Sequence, residues 1–217
     1  MLFTRIDKKT WPRSAYFDHY FTQVPCTYSA VFKLDITRLR QRGQKLYPAM
    51  LYALSTAVNC HQEFRMAINE AGELGFYDQV HPCYTVFHRD TETFSNLWTA
   101  YTPDYAAFCA AFEHDMAVYG DRQGLMSRTD TPENTFPVSM VPWASFEGFN
   151  LNLQKGYDYL PPIFTMGKFY EDGGRTLLPL AVQVHHAVCD GFHLCRLVNE
   201  VQELVNDLGA QTHSINN

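Results

Sequence analysis

The stretch from residue 176 to residue 205 is the part of the sequence that most constrains the fold. Residues 176–186 are mostly apolar, and the turn-forming pair Asp190-Gly191 follows closely. An apolar run bounded by turn signals is typical of a strand. Beyond Gly191, apolar residues recur at helical spacing, namely Leu194, Leu197, Val198, Val201, Leu204 and Val205. The sequence therefore predicts a strand, a tight loop and an amphipathic helix in direct succession.

Further strands are predicted before this one. Residues 171–175, Glu-Asp-Gly-Gly-Arg, are a strong turn signal between residues 163–166 and the run 176–186. The two runs are therefore predicted to pair as a hairpin. Short apolar runs over residues 64–88, separated by Gly, Pro and acidic residues, indicate more hairpins in an antiparallel or mixed sheet.

Helices and one more strand account for much of the remainder. Residues 10–12, Thr-Trp-Pro, are typical of a helix start with Thr as the cap, and Pro25 ends this predicted helix. Alternating apolar residues predict a strand over residues 26–36. Apolar residues at helical spacing predict one helix from Pro48 onward and another over residues 105–119.

These elements predict an α/β chain, an α+β sandwich in which a mixed β-sheet is covered by helices. The 217 residues are enough to bury a core without metals or disulfides. Since no repeat, linker or low-complexity segment divides the chain, we expect a single domain over residues 1–217. Residues 211–217 are polar and are expected to form a frayed tail.

Composition and charge exclude several functional classes. With 17 Lys and Arg against 23 Asp and Glu the net charge is −6, and no basic cluster interrupts it, so we expect no nucleic-acid partner. The longest uncharged stretch, residues 46–62, contains several polar residues and is too short to span a bilayer. No secretory signal is visible, so we expect a cytoplasmic protein with no membrane partner. A high aromatic content, 15%, suits contact with another subunit.

Residues 183–193, Gln-Val-His-His-Ala-Val-Cys-Asp-Gly-Phe-His, carry the chemistry. His185 and His186 cannot both line one pocket, because successive strand side chains face opposite sides. Imidazole titrates near neutrality and suits a general base, although a lone His is more often structural. A metal site of His185, His186, Cys189, Asp190, His193 and Cys195 is a weaker alternative. It fits no zinc signature, no C-x-x-C pair occurs, and the hydrolase, kinase and dehydrogenase motifs are absent.

The same segment resembles the active-site signature of the chloramphenicol acetyltransferases. Its shorter core, H-H-x-x-x-D-G, is shared with the acyltransferase domain of 2-oxo acid dehydrogenase complexes and with peptide-synthetase condensation domains. Four further segments resemble the acetyltransferase family and extend the match over nearly the whole chain: residues 65–68, 91–95, 131–134 and 149–152. The antibiotic-acetylating branch is therefore the preferred interpretation.

The resemblance implies a CoA-dependent acyltransferase fold and a homotrimer with active sites at subunit interfaces. Acetyl-CoA as co-substrate and chloramphenicol would enter from opposite ends, with no metal. His186 would be the general base for the primary hydroxyl of chloramphenicol, and His185 would be its packing partner. Ser139 resembles the serine that stabilises the oxyanion, and Thr165 resembles the threonine that holds a bridging water.

Other roles follow from the same resemblance. Asp190 is expected to pair with Arg13 and to act structurally at the site. The positions that resemble antibiotic contacts are Tyr20, Cys26, Phe94, Leu151 and Met126. The positions that resemble cofactor contacts are Trp143, Lys168 and Phe169.

Three positions depart from the family pattern. Met126 stands where some relatives carry a pocket Phe, His19 precedes Tyr20 where an aromatic residue is usual, and Phe169 follows Lys168 where some members have Tyr. Two alternatives to chloramphenicol acetylation stay open. One is acyl transfer to another small alcohol or thiol by the same His186, and the other is a protein that binds the drug or a CoA thioester without turnover.

Overall fold

A computed structural model describes residues 1–153 and 158–210. The strands are β1 (Phe3–Arg5), β2 (Thr27–Asp35), β3 (Met66–Ile68), β4 (Leu74–Tyr77), β5 (His81–His88), β6 (Thr93–Trp98), β7 (Thr135–Met140), β8 (Ile163–Met166), β9 (Tyr170–Asp172) and β10 (Arg175–His185). The α-helices are α1 (Ser14–Asp18), α2 (Thr37–Gln41), α3 (Leu46–Cys60), α4 (Tyr105–Tyr119) and α5 (Gly191–Ala210). A π-helical segment, His19–Gln23, continues α1, and a 3₁₀ turn, Gln62–Phe64, follows α3.

The main sheet is mixed and runs in the order β2-β10-β8-β7-β5-β6, with β9 also paired to β10. Strand β10 is antiparallel to β2 and β8, whereas β7 is parallel to both β8 and β5. A smaller sheet has the order β1-β4-β3. The prediction of a mixed sheet covered by helices is confirmed.

The two faces of the main sheet differ in what covers them. Side chains on one face, such as Leu180 of β10 and Phe164 of β8, are fully buried in the core together with helices α3, α4 and α5. On the opposite face, Ala181 and Gln183 of β10 are buried at the centre, while Phe87 and Phe94 near the β5–β6 edge are exposed. Since α5 packs on the core face, the turn that connects it to β10 lies at the end of the sheet.

The predicted pairing of residues 163–166 with residues 176–186 is confirmed as β8–β10. The predicted turn at residues 171–175 connects β9 directly to β10, and the sequence did not reveal this shorter hairpin. Gly173 and Gly174 in the turn both have positive φ angles, 57° and 78°.

Between β8 and β9 the chain bulges at Gly167, whose N–H donates to the carbonyl of Pro179 at 2.9 Å. Because proline has no N–H to offer, a bulge opposite it costs no ladder bond.

Most predicted elements are confirmed, including the strand at residues 26–36, the strands within residues 64–88, and the helices α3, α4 and α5. The predicted helix start at residues 10–12 is wrong, because α1 begins at Ser14. The N–H groups of Thr10 and Trp11 donate to the carbonyl of Asp7 and form a separate turn there. The predicted frayed tail, residues 211–217, lies outside the described residues. Among the described residues, no helix is both long and apolar enough to cross a bilayer.

Candidate active site

His186 lies directly after the end of β10, at the point where the chain leaves the sheet. Its backbone N–H donates to the carbonyl of Cys26 at 2.9 Å, which extends the β2–β10 ladder by one more residue. The N–H groups of Val188 and Cys189 then both donate to the carbonyl of His185 at 3.1 Å. This turn reverses the chain into α5 and leaves the His186 side chain at the end of the sheet, half-buried.

Two tyrosines contact the imidazole of His186. The ring of Tyr20 stacks on it with centroids 3.9 Å apart and an interplanar angle of 16°, and Tyr28 meets it edge-on at 5.3 Å. The Tyr28 hydroxyl donates to the carbonyl of Cys189 at 3.3 Å, and burial raises the pKa of Tyr28. The imidazole Nδ1 is buried without a hydrogen-bond partner. The plane of the His186 ring is therefore set by aromatic packing.

His185 lies in different surroundings from its neighbour. Only 1% of His185 is exposed, its Nδ1 accepts a hydrogen bond from the N–H of Ala187 at 3.1 Å, and Phe21 packs against its ring. Nearby, burial raises the pKa of the Cys189 thiol to about 12, so that this thiol is protonated near neutral pH. Of His185, His186 and Cys189, only His186 is thus partly exposed.

Asp190 joins two basic side chains beside the turn. Arg13 Nη1 lies 2.7 Å from Asp190 Oδ2, and His193 Nδ1 lies 2.9 Å from Asp190 Oδ1. Partial burial opposes ionisation, but the hydrogen bonds and charges of Arg13 and His193 together outweigh it and lower the pKa of Asp190. This contact ties α1 to the first turn of α5, and Arg13 and Asp190 therefore hold together the two segments that flank the His186 ring.

We expect Asp190→Asn to lower the free energy of unfolding by about 1–2 kcal/mol at pH 7. The pair is partly exposed, so the loss is smaller than the roughly 3–5 kcal/mol of a fully buried pair. Because the folded-state pKa of Asp190 is lowered, its stabilisation is complete above about pH 4 and disappears as the pH falls further. Urea unfolding of both proteins from pH 7 to pH 3 measures this difference. A gap that stays constant over that range would contradict the prediction.

Ser139 and Thr165 lie on neighbouring strands, β7 and β8, as partners in register. Side chains of such partners share one face of the sheet, so the two hydroxyls are close to each other. Thr165 also pairs with Ala181 of β10, and the strand from Ala181 to His186 is about 16 Å long at roughly 3.3 Å per residue. The chain therefore brings Ser139 and Thr165 together but holds them apart from its own His186.

The predicted antibiotic contacts fall into two groups. Tyr20 and Cys26 lie at His186, through the ring stack and the backbone hydrogen bond described above. The other three, Phe94, Met126 and Leu151, are exposed. Phe94 lies opposite Phe87 in the β5–β6 pair, and Met126 bridges to Asn96 of β6, two residues along from Phe94. Leu151 lies over β10.

The predicted cofactor contacts lie at or near the bulge between β8 and β9. Trp143 is 62% exposed and packs edge-on against Phe87 at 4.8 Å. Lys168 is exposed, and its N–H donates to the carbonyl of Ala144 at 2.8 Å. Phe169 is partly buried under the guanidinium of Arg40, which lies 4.7 Å from the ring centroid. Trp143 and Lys168 are thus free to meet a ligand, while one face of Phe169 is already covered by Arg40.

Two features of the site were not predicted. Tyr28 was assigned only to a strand, and its contact with His186 depends on the β2–β10 register, which no local pattern reveals. A cavity of about 380 Å³ lies beside Tyr28, lined by Thr27, Tyr28, Ser29, Asn150, Leu151, Asn152, Leu153 and Gln183.

Within residues 1–153 and 158–210, no group of three His, Cys, Asp or Glu side chains is arranged to hold a metal ion.

Comparisons with known proteins agree on one family. The family model described as chloramphenicol acetyltransferase matches residues 1–202. A chloramphenicol acetyltransferase of Clostridium perfringens is 60% identical over 206 residues, which cover 95% of this chain and 100% of that protein. One of Campylobacter coli is 57% identical over the same coverage.

Solved structures show the fold. A chloramphenicol acetyltransferase superposes with a TM-score of 0.81 at 22% identity, covering 94% of this chain and 100% of the other. The dihydrolipoamide acetyltransferase of Azotobacter vinelandii superposes with a TM-score of 0.65 at 17% identity, covering 90% and 88%. The predicted CoA-dependent acyltransferase fold is confirmed by these superpositions.

Proposed function

Since the chain belongs to the chloramphenicol acetyltransferase family, and is thus an acyltransferase, we propose that it moves an acetyl group from acetyl-CoA to the primary hydroxyl of chloramphenicol. Acetylation of the antibiotic would confer resistance, and we place the reaction in the cytoplasm. The observation that carries the proposal is the half-buried imidazole of His186, held against Tyr20 and Tyr28 where β10 ends.

His186 acts as the general base. Its Nδ1 is buried, so Nε2 is the ring nitrogen that faces the acceptor. Nε2 takes the proton of the primary hydroxyl while the hydroxyl oxygen attacks the carbonyl carbon of the acetyl thioester. The tetrahedral intermediate then collapses, the carbon–sulfur bond breaks, and the imidazolium returns its proton to the CoA sulfur. The products are acetylated chloramphenicol and free CoA.

Ser139 stabilises the intermediate. Its hydroxyl donates a hydrogen bond to the oxyanion, and a donor placed in advance in a dry site is worth about 3–4 kcal/mol. Thr165 is buried beside it and holds a water that bridges to the same intermediate. Neither residue takes or gives a proton, so the two hydroxyls lower the barrier without changing the order of the chemical steps.

The active site is completed by a second copy of the chain in a homotrimer. One chain cannot place its own His186 beside Ser139 and Thr165, because about 16 Å of strand separates them. A cyclic trimer solves this, since each interface can bring His186 of one subunit to Ser139 of the partner subunit. The exposed Phe87 and Phe94 on the uncovered face of the sheet supply apolar surface that suits such contacts.

The two substrates occupy opposite ends of this site. Chloramphenicol lies in the apolar pocket formed by Tyr20, Cys26, Phe94, Leu151 and Met126. Acetyl-CoA lies along the bulge at β8–β9, where the exposed Lys168 meets a phosphate and the exposed Trp143 packs on the pantetheine arm. Phe169, partly covered by Arg40, offers one edge to the cofactor. The whole chain acts as a single domain in this scheme.

The test is to incubate the purified protein with acetyl-CoA and follow the release of free thiol. Release that requires chloramphenicol supports the proposal. Formation of free CoA from acetyl-CoA, measured by chromatography, with a panel of other small alcohols and thiols but not with chloramphenicol would instead identify a different acceptor. Chloramphenicol binding without any release, measured by calorimetry on the same sample, would identify a binding protein and contradict the proposal.

A further inference from the structure

We propose that Gln183 is a positioning residue that shapes the acceptor pocket by fixing the backbone of Leu151. This inference rests on the function proposed above. Gln183 opens the His-containing segment that the sequence singled out, yet the mechanism gives it no step. It is a polar residue two positions before the end of β10, and only 6% of it is exposed.

The oxygen and the nitrogen of the Gln183 side-chain amide both bind the same residue. Its Oε1 accepts from the N–H of Leu151 at 2.7 Å, and its Nε2 donates to the carbonyl of Leu151 at 2.9 Å. A side chain paired in this way acts like one residue of an added strand. A buried amide that loses such partners destabilises the fold, because the unpaired group has lost its hydrogen bonds to water without replacing them. The pair therefore holds Leu151 firmly over β10.

Leu151 needs this support because residues 150–153 form neither helix nor strand. No ladder sets the position of this segment, and a hydrogen bond between Asn150 and Asn152 is local to it. Together with the start of β2, the segment lines the cavity of about 380 Å³, and Tyr28 of that cavity also contacts the His186 ring. A shift of Leu151 would thus change the pocket that the proposed function assigns to chloramphenicol.

The chain offers a matched control in Gln202. Its Oε1 accepts from the N–H of Asp35 at 2.8 Å, and its Nε2 donates to the carbonyl of Asp35 at 2.9 Å. This is the same pairing of one amide with one backbone residue, but Asp35 lies at the opposite end of β2 from the cavity. Gln183→Met and Gln202→Met each remove such a pair of hydrogen bonds, and Gln202→Met also removes a bond to Asn206 Oδ1 at 3.2 Å. Only Gln183→Met touches the pocket.

The experiment measures kcat, both KM values and melting temperature for the wild type and the two Met variants. We expect Gln183→Met to raise the KM for chloramphenicol about tenfold, to leave the KM for acetyl-CoA within about twofold, and to reduce kcat less than the acceptor KM changes. Gln202→Met should lower the melting temperature with both KM values within about twofold. Gln183→Glu keeps the side-chain size and the acceptor for the Leu151 N–H, and should give a smaller KM increase.

A double-variant cycle with Leu151→Ala tests whether Gln183 acts through Leu151. If it does, the chloramphenicol KM of the double variant should be close to that of the more affected single variant, well below the product of the two increases. Multiplicative effects would overturn the proposal, as would an unchanged acceptor KM in Gln183→Met. Loss of folding in both Gln183 variants, with Gln202→Met still folded, would also overturn it. A wild type without chloramphenicol turnover would instead overturn the proposed function itself.

Discussion

Replacing His186 with Ala is expected to reduce chloramphenicol-dependent thiol release by about 10²- to 10⁴-fold, the usual contribution of a positioned general base. The imidazole is half-buried and packs on Tyr20, so its removal also leaves a space beside that ring. The proton of the acceptor hydroxyl would then have no protein base within reach. Initial rates at saturating acetyl-CoA and varied chloramphenicol give kcat and kcat/KM for both proteins and so measure the loss.

His114→Ala is the matched control for this variant. His114 lies on the exposed side of α4, where Ala is a good helix former, and no role in the site is assigned to it. It should keep wild-type turnover and melting temperature. Equal losses in the two variants, or an active His186→Ala protein, would show that the base lies elsewhere.

The second large effect is recovery of activity when two inactive variants assemble together. Ser139→Ala should lower kcat by about 10²- to 10³-fold, because it removes the proposed oxyanion donor. If every site combines His186 of one subunit with Ser139 of the partner subunit, mixed trimers contain some sites with both residues intact. Random assembly of equal amounts makes about one quarter of all sites complete.

Co-expression of the two variants with different affinity tags, followed by purification of mixed trimers through both tags, provides the material. Homotrimers have no complete site and are removed by this purification, and every mixed trimer has one complete site among its three. We therefore expect activity of about one third of the wild-type value, far above either variant alone. Mixing the separately purified trimers, without subunit exchange, should restore nothing. Verified mixed trimers without activity would contradict the shared site. They would mean that each chain carries a complete site despite the strand between Ala181 and His186.

The sequence alone was sufficient for the local structure around His186. The apolar run, the Asp190-Gly191 turn and the helical spacing beyond it act over a few residues, so they predicted β10, the turn and α5 correctly. The same holds for α3 and α4, whose apolar spacing repeats over several turns. Even the separate surroundings of His185 and His186 follow from the alternation of side chains in a strand.

Elements with weaker local signals were missed or misplaced. Residues 10–12 carry a good start signal for a helix, but hydrogen bonds to the carbonyl of Asp7 use those residues in a turn, and α1 begins later at Ser14. The short strand β9 was hidden because the turn next to it and the bulge at Gly167 leave only three residues of strand. In both places competing contacts outweigh propensity, which amounts to a few tenths of a kcal/mol per residue.

Only the tertiary structure decided which distant residues meet at the site. Tyr28 reaches the His186 ring because β2 and β10 pair in one register, and Gln183 reaches Leu151 across a long separation in sequence. Such contacts depend on packing and on hydrogen bonds between segments that leave no periodic trace in the sequence. The same strand pairing separates His186 from Thr165 within one chain. Local residue patterns therefore determined the elements and the position of His186, whereas the contacts of His186, and its separation from Ser139 and Thr165 within one chain, follow from how the strands are placed against one another.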